Sequence, residues 1–144
     1  MKLHTPSAHY KRKDAETASQ PALILMTYDA ALRYVREAQQ HMKDGNIPEK
    51  GMAIDSAISC VAELRRALDM ERGGDIAESL FSLYNYMTDQ ITRANFANDP
   101  ALLQPVKASL TSLRQGWQEV IDKLQEEGQL DQYETPQSHG LLVR

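Results

Sequence analysis

The chain has 144 residues, a length typical of one domain, so we predict a single domain over residues 1–144. It is 42% hydrophobic and 25% charged with a formal net charge of −4, which argues against nucleic-acid binding because phosphate binding needs a concentrated basic face. Residues 1–14 lack the apolar run of a signal peptide, and the longest apolar run, residues 22–26, is too short to span a membrane. We therefore expect a cytoplasmic protein without membrane insertion.

The first ordered element is predicted to follow a polar arm. Residues 1–18 carry no apolar stripe, so we predict a mobile amino-terminal arm there. A helix is then expected from Ser19, which can cap it, with Pro21 in its first turn, to about Asp44, because Gly45 follows. Its apolar residues recur at alternating steps of four and three, the helical period. They are Ile24, Tyr28, Ala31, Val35, Ala38 and Met42.

Two further helices are predicted on either side of a glycine pair. The second is expected over residues 48–69, since Pro48 is tolerated in a first helical turn. Gly73 and Gly74 predict a stop, after which Asp75 caps a third helix that runs to about Phe96, with Glu78 completing a capping box. The predicted core residues of the second helix are Ile54, Ala57, Val61, Leu64 and Leu68. Those of the third are Ile76, Leu80, Leu83, Met87, Ile91 and Ala94, with Tyr84 beside them.

The fourth helix has the most regular pattern. Asp99 and Pro100 predict its start, and Pro105 is expected to bend or delay its first turns. Its apolar residues are Leu103, Val106, Leu110, Leu113, Trp117, Val120 and Leu124. From residue 126 the period is lost, so residues 126–144 are predicted to be a loose tail. Four helices with short connections predict an all-α fold, an antiparallel four-helix bundle over residues 19–125.

Little in the sequence indicates catalysis. No His has a Glu three residues before it, as a di-iron bundle requires, so we expect no metal and no cofactor. Cys60 lies among apolar neighbours and is interpreted as a packing residue. The one enzyme-like alternative is a phosphotransfer module in which His41 accepts phosphate, although His41 lies in the last turn of its predicted helix. We therefore predict a protein that is not an enzyme.

The order of features resembles the FliS family of flagellar secretion chaperones. The matching residues are Tyr10 in the arm, the segment ETASQPALILMTYDAAL over residues 16–32, Leu68, Asp69, Gly73, Gly74, Leu80, Leu83, Tyr84, Tyr86, Ala94, Asn95 and Trp117 within LRQGW. The chain departs from the family pattern in its first helix. Thr27 stands where the family usually has Leu, Ala30 replaces a common Gly, and Pro21 is displaced by one place.

The resemblance implies a cytoplasmic export chaperone built as an antiparallel helical bundle. Such a protein binds the disordered carboxyl-terminal segment of flagellin, prevents its premature polymerisation and delivers it to the flagellar type III export apparatus, where an export gate component would be a second partner. Family members use the amino-terminal arm as a lid over part of the binding surface, which implies a role for Tyr10. Whether the free protein forms a homodimer is left open, and a helical adaptor for another partner is a further alternative.

Surplus apolar residues beside the predicted core lines suit that role. Leu25, Leu32, Ile58, Phe81 and Tyr86 flank the lines, where they either thicken the core or line grooves between helices. An amphipathic helix of a partner can lay its apolar face into such a groove. The predicted partner-binding residues are Tyr10, Leu25, Ile58, Phe81, Tyr84 and Tyr86.

Overall fold

In a computed structural model of the protein, residues 20–128 are described, and they form four α-helices. These are α1 (Gln20–Asp44), α2 (Ile47–Arg66), α3 (Met70–Ala97) and α4 (Gln104–Glu126), with a short 3-10 helix, Pro100–Leu103, before α4. No strand occurs among residues 20–128, so the all-α prediction is confirmed. The predicted arm, the cap residue Ser19 and residues 129–144 of the predicted tail lie outside the described residues.

Contacts between helix ends establish how the helices run. Lys50 near the start of α2 donates from Nζ to the carbonyl oxygen of Asn95 and to Oδ1 of Asn98 at the end of α3, at 3.2 and 3.1 Å. Gln39 near the end of α1 donates to Oε1 of Gln104, the first residue of α4, at 2.7 Å. The start of one helix therefore lies beside the end of its neighbour in both pairs, as in the predicted antiparallel bundle.

The connection between α2 and α3 differs from the prediction. α2 ends at Arg66, and the N-cap of α3 is Asp69, whose carboxylate accepts from the Arg72 backbone N–H at 3.0 Å. The predicted cap, Asp75, is the first residue after the kink within α3. Both aspartates are suitable cap residues, and the extended backbone conformation of Asp69 is what allows it to cap. Gly74, with φ 52° and ψ −133°, is non-helical, so α3 consists of a first turn and a longer helical segment that meet at a kink, and the predicted break at the glycine pair is present.

We expect Gly74→Ala to lower the free energy of unfolding by about 1–3 kcal/mol, because residues with a side chain rarely adopt this backbone conformation. A Cβ at Gly74 would meet no atom within 4 Å, so the cost is conformational and not steric. The matched control is Gly51→Ala within α2, which also has open space and should stabilise the protein by about 0.5–1 kcal/mol. Urea denaturation followed by circular dichroism measures both changes. Equal effects of the two substitutions would contradict the assigned backbone conformation of Gly74.

The packing of the four helices is uneven. α1 packs most extensively against α2 and also against α4, while α3 packs mainly on α2. α3 and α4 make few contacts with each other directly, although α3 also contacts the 3-10 helix. The core is formed chiefly by the predicted apolar lines of α1 and α2 and by the carboxyl-terminal half of α3 with the first half of α4. The two remaining half-helices therefore leave a gap at one side of the bundle.

Two residues of the predicted core lines are exposed for this reason, and Leu124 is half-buried outside the core. Ile76 is 69% exposed and Val120 is 42% exposed, although each continues the apolar period of its helix. Ile121, which the prediction omits, is buried in their place at the end of α4. Leu32, predicted to flank the core line of α1, is buried within the core. The helical period identified the correct faces, and the spacing between α3 and α4 decided which residues on those faces are covered.

Candidate partner-binding groove

An open, mainly apolar groove lies between the first half of α3 and the second half of α4. Its volume is about 510 Å³, within the range of roughly 300–1,000 Å³ that is typical of ligand pockets. We call it the α3–α4 groove. It is lined by Asp75, Ile76, Ser79, Leu80, Ser112, Leu113, Gly116, Trp117 and Val120.

The spacing of these residues explains why the groove is apolar and wide. Ile76 and Leu80 are four residues apart on α3, and Leu113, Trp117 and Val120 are separated by four and three on α4, so each set forms a stripe along one face. The positions between the stripes carry the small residues serine and glycine. A bundle helix normally covers such a stripe with its neighbour. Here the two stripes face a shared gap that no other described element fills.

A buried chain of hydrogen bonds anchors the floor of the groove. Nε1 of Trp117 donates to the hydroxyl of Tyr28 at 3.0 Å, and that hydroxyl lies 2.6 Å from the hydroxyl of Tyr84. The three side chains come from α4, α1 and α3, so the chain connects three helices. Both tyrosine side chains are buried. The orientation of Trp117 is therefore coupled to two residues of the core.

The protonation of the two tyrosines follows from their burial. Desolvation raises the pKa of Tyr84 well above its usual value, and the charge and hydrogen bond of Tyr28 raise it further. Desolvation also raises the pKa of Tyr28, although its hydrogen bonds to Tyr84 and Trp117 act in the opposite direction. Both hydroxyls consequently keep their protons at neutral pH. Tyr28 can therefore accept from Trp117 while one of the two tyrosines donates to the other.

The structure places Tyr84, a predicted partner-binding residue, in the core. Its side chain is 2% exposed, and it lies on the same face of α3 as Met87 and Ile91, three and seven residues further on. Its ring is therefore covered in the free protein, and its hydroxyl lies within hydrogen-bond distance of Tyr28, which accepts from Trp117. A contact between Tyr84 and a partner stays a prediction.

Phe81 and Tyr86 are exposed, as predicted for flanking residues, but they lie on different edges of α3. Five residues correspond to about 140° around a helix, so the two rings cannot share one narrow groove. Phe81 is 40% exposed and its ring centre lies 5.9 Å from the guanidinium carbon of Arg65 on α2. Arg65 in turn donates to Asn85 of α3 at 2.7 Å. Phe81 therefore lies at the α2 edge of α3, away from the α3–α4 groove.

The other predicted partner-binding residues are distributed over the bundle. Ile58 is half-buried on the face of α2 that carries Arg65, so it lies toward the α2–α3 edge. Leu25 is half-buried on α1, one turn before Asp29, which is paired with Arg114 of α4. Tyr10 lies outside the described residues. The structure thus brings Ile58 and Phe81 to the α2–α3 edge and places Leu25 on α1, near α4. Contact with a partner stays a prediction for each of these residues.

The residues of the α3–α4 groove were not predicted as partner-binding residues. Ile76, Leu80, Leu113, Trp117 and Val120 all belong to the predicted core lines, because apolar periodicity does not distinguish a covered stripe from an uncovered one. The only sign of a groove in the sequence was the presence of small residues beside those apolar lines. They are Ser79 on α3 and Ser112 and Gly116 on α4. Small residues leave space between two helices only if the helices do not pack closely at those positions. How closely they pack depends on the contacts of the whole bundle.

Groups that would suggest another chemistry are sparse in the described part of the chain. Residues 20–128 contain no group of three or more His, Cys, Asp or Glu side chains arranged to hold a metal ion. Within the same range, no helix combines the length and apolar character required to cross a bilayer. Cys60 is buried, in agreement with its predicted packing role. His41 lies in the last turn of α1, with Nδ1 3.3 Å from Nδ2 of Asn46.

Comparisons with known proteins identify a family for the chain. The family model described as flagellar protein FliS matches residues 3–124. The chain is 41% identical over 95 residues to the flagellar secretion chaperone FliSB of Pseudomonas aeruginosa, covering 66% of this chain and 75% of that protein. It is 36% identical over 103 residues to the flagellar secretion chaperone FliS of Vibrio cholerae, covering 72% and 76%.

A more distant relative extends the match along the chain. The flagellar secretion chaperone FliS of Bacillus subtilis is 27% identical over 121 residues, which cover 84% of this chain and 90% of that protein. These relatives are named as chaperones, and none of the names states a catalytic activity, so the comparisons favour the chaperone prediction over phosphotransfer by His41. The match of the family model over most of the chain confirms the resemblance: the chain belongs to the FliS family of flagellar secretion chaperones.

Proposed function

We propose that this protein binds the disordered carboxyl-terminal segment of flagellin in the cytoplasm, prevents its premature polymerisation and delivers it to the flagellar type III export apparatus. The observation that carries the proposal is the unfilled α3–α4 groove in a member of a family of flagellar secretion chaperones. A secretion chaperone needs a surface for an unfolded client. An apolar groove between two helices is a common way of binding an amphipathic helix.

The groove suits a helix that forms when it binds. Apolar side chains spaced three or four residues apart on a client helix would contact Ile76 and Leu80 on one wall and Leu113, Trp117 and Val120 on the other. Coupled folding and binding commonly buries about 1,000–3,000 Å² and loses about 2–5 kcal/mol to ordering of the client. One groove provides only part of such an area. A long client segment would therefore contact further surfaces of the bundle.

Exposed and half-buried apolar residues elsewhere provide those further surfaces. Phe81 and Ile58 lie at the α2–α3 edge, Tyr86 lies on the other side of α3, and Leu25 lies on α1. A segment that wraps around the bundle would meet them in succession. We propose that the α3–α4 groove is the principal contact and that these residues are secondary ones. The role of Tyr10 in a lid, and the contact with an export gate component, remain parts of this proposal.

The direct test is to mix the protein with full-length flagellin and with flagellin that lacks its carboxyl-terminal segment. We expect a stable complex with the first and no complex with the second, as measured by isothermal titration calorimetry. The physical reason is that only the unfolded segment can form a new amphipathic helix in the groove. Equal binding to both forms, or binding to neither, would refute the proposal.

A further inference from the structure

We propose that Asp75 determines by charge which helix the α3–α4 groove accepts: the client helix presents a Lys or Arg side chain to the Asp75 carboxylate. This inference rests on the proposed function, because it names a chemical requirement that the groove places on the flagellin segment. Apolar contacts alone would admit many amphipathic helices. A fixed charge at the edge of the groove adds a condition that only some of those helices meet.

Asp75 lies at the open end of the groove. It is the first residue of α3 that lines the groove, and Val120 is the last residue of α4 that does so. α3 and α4 are connected through the 3-10 helix at their other ends, so Asp75 is remote from that connection. Ile76 follows Asp75 directly, and Ser79 lies one turn further along the same edge of α3. The carboxylate is therefore beside the apolar stripe of α3 and not within it.

The Asp75 carboxylate has no cationic partner within residues 20–128. Asp75 is exposed, and it is the only charged residue that lines the groove. None of the ion pairs between described residues includes it. These pairs are Arg33–Glu37, Arg66–Glu63 and Arg114–Asp29. The described part of the chain therefore leaves this negative charge available to a partner.

A client helix in the groove changes the surroundings of this carboxylate. The helix displaces water from the side of Asp75 that faces the groove, and an ionised group that loses water without gaining a partner costs free energy. A Lys or Arg of the client offsets this cost, because hydrogen bonds between charged groups are stronger than those between neutral groups. The long stem of either side chain can lie along Ile76 while its charged end stays at the exposed edge. An Asp or Glu at the same position of the client would be repelled.

Substitution of Asp75 in the full chain tests the inference with full-length flagellin as the ligand. We expect Asp75→Asn to weaken binding by about two- to fivefold, as for an ion pair near the surface. Asp75→Lys replaces the attraction by repulsion, so its loss should be about 4- to 25-fold. Asp75→Glu keeps the charge and should bind nearly as tightly as the original protein. In calorimetric titrations, the loss caused by Asp75→Asn should become smaller as the salt concentration rises, because salt screens exposed charges.

Asp89 provides the matched control. It is an exposed carboxylate on the same helix, and it does not line the groove. Asp89→Asn and Asp89→Lys change the net charge by the same amounts and should leave the affinity for flagellin unchanged. Urea denaturation of every variant measures folding separately from binding. Asp75→Asn should unfold at the same urea concentration as the original protein, because the carboxylate has no ion pair to lose among the described residues.

A charge swap identifies the paired residue of the client. Each Lys or Arg of the carboxyl-terminal segment is replaced by Glu, one at a time, in full-length flagellin. One of these flagellin variants should bind the original protein less tightly than unaltered flagellin does, and should bind Asp75→Lys more tightly than unaltered flagellin does. A purely structural role of Asp75 cannot produce this reversal, because such a role does not depend on the charge of the client.

Two results would overturn the inference alone. One is the absence of any flagellin variant that shows the reversal, and the other is an equal effect of Asp75→Asn and Asp89→Asn on binding. In both cases unaltered flagellin still binds the original protein, so the proposed function stands. A failure of unaltered flagellin to bind the original protein would overturn the proposed function and this inference together.

Discussion

Replacing Ile76 and Val120 together by Asp is expected to weaken flagellin binding by about 10- to 100-fold. A buried aliphatic side chain contributes about 1.5–3 kcal/mol, and a carboxylate in its place would have to be desolvated when the client helix covers the groove. Ile76 is 69% exposed and Val120 is 42% exposed in the free protein, so the substitutions remove little from the core. We therefore expect the free energy of unfolding to change by less than about 0.5 kcal/mol. Calorimetric titration and urea denaturation measure the two quantities.

The matched control for this pair lies at the opposite end of the bundle. Ile47 and Met52 on α2 are 54% and 70% exposed, so Ile47→Asp with Met52→Asp introduces the same charges at equally exposed apolar positions. The control variant should bind flagellin with unchanged affinity. A comparable loss of binding in both variants would show that general charge, and not the α3–α4 groove, governs the affinity.

Tyr28→Phe is expected to lower the free energy of unfolding by about 2–3 kcal/mol. The hydroxyl of Tyr28 is the acceptor for Trp117 and the partner of Tyr84, so its removal leaves two polar groups without that partner. An unsatisfied buried polar group costs about 1–3 kcal/mol. Tyr84→Phe removes one end of the same chain, and its cost should be smaller, about 1 kcal/mol. Urea denaturation of each variant measures these differences.

Tyr34 provides the control for the loss of a buried tyrosine hydroxyl. It is 5% exposed and lies on α1 like Tyr28, but its hydroxyl is buried without a hydrogen-bond partner. Tyr34→Phe should therefore leave the stability unchanged or increase it by up to about 1 kcal/mol. If Tyr28→Phe and Tyr34→Phe have the same effect, the hydrogen-bond chain does not stabilise the bundle. Altered Trp117 fluorescence in Tyr28→Phe alone would show that the chain also fixes the floor of the groove.

The elements that local sequence controls were predicted well. Pro21, Pro48 and Pro100 lie in the first turns of helical segments, as proline's fixed φ favours, and Asp99 caps the 3-10 helix through the Ala101 backbone N–H at 3.0 Å. Asp75 shows the limit of such signals. Asp69 caps the first turn of α3 and Asp75 directly follows the kink at Gly74, so two helical segments stand where the sequence predicted one.

The candidate site could be predicted only in part, because it depends on distances between helices. Phe81 and Tyr86 were correctly placed beyond the core, since a helical period locates the edges of a face. Tyr84 and Trp117 were harder to interpret, because the polar atoms of both side chains form hydrogen bonds with the hydroxyl of Tyr28. The three residues lie on three different helices, so the sequence does not show that they meet. Ile76 and Val120 differ from true core residues only in that α3 and α4 leave a gap between them, and no local pattern reveals that gap.

The most direct test of the central claim asks which surface touches flagellin. A photoreactive benzophenone side chain introduced at Ile76 in the full-length protein should cross-link, on illumination, to the carboxyl-terminal segment of flagellin. The same group introduced at Met52, which is equally exposed, should not. Mass spectrometry of the cross-linked peptides identifies the flagellin residues involved. Cross-links from position 52 but not from position 76, or cross-links from position 76 to another part of flagellin, would contradict the assignment of the α3–α4 groove as the client-binding site.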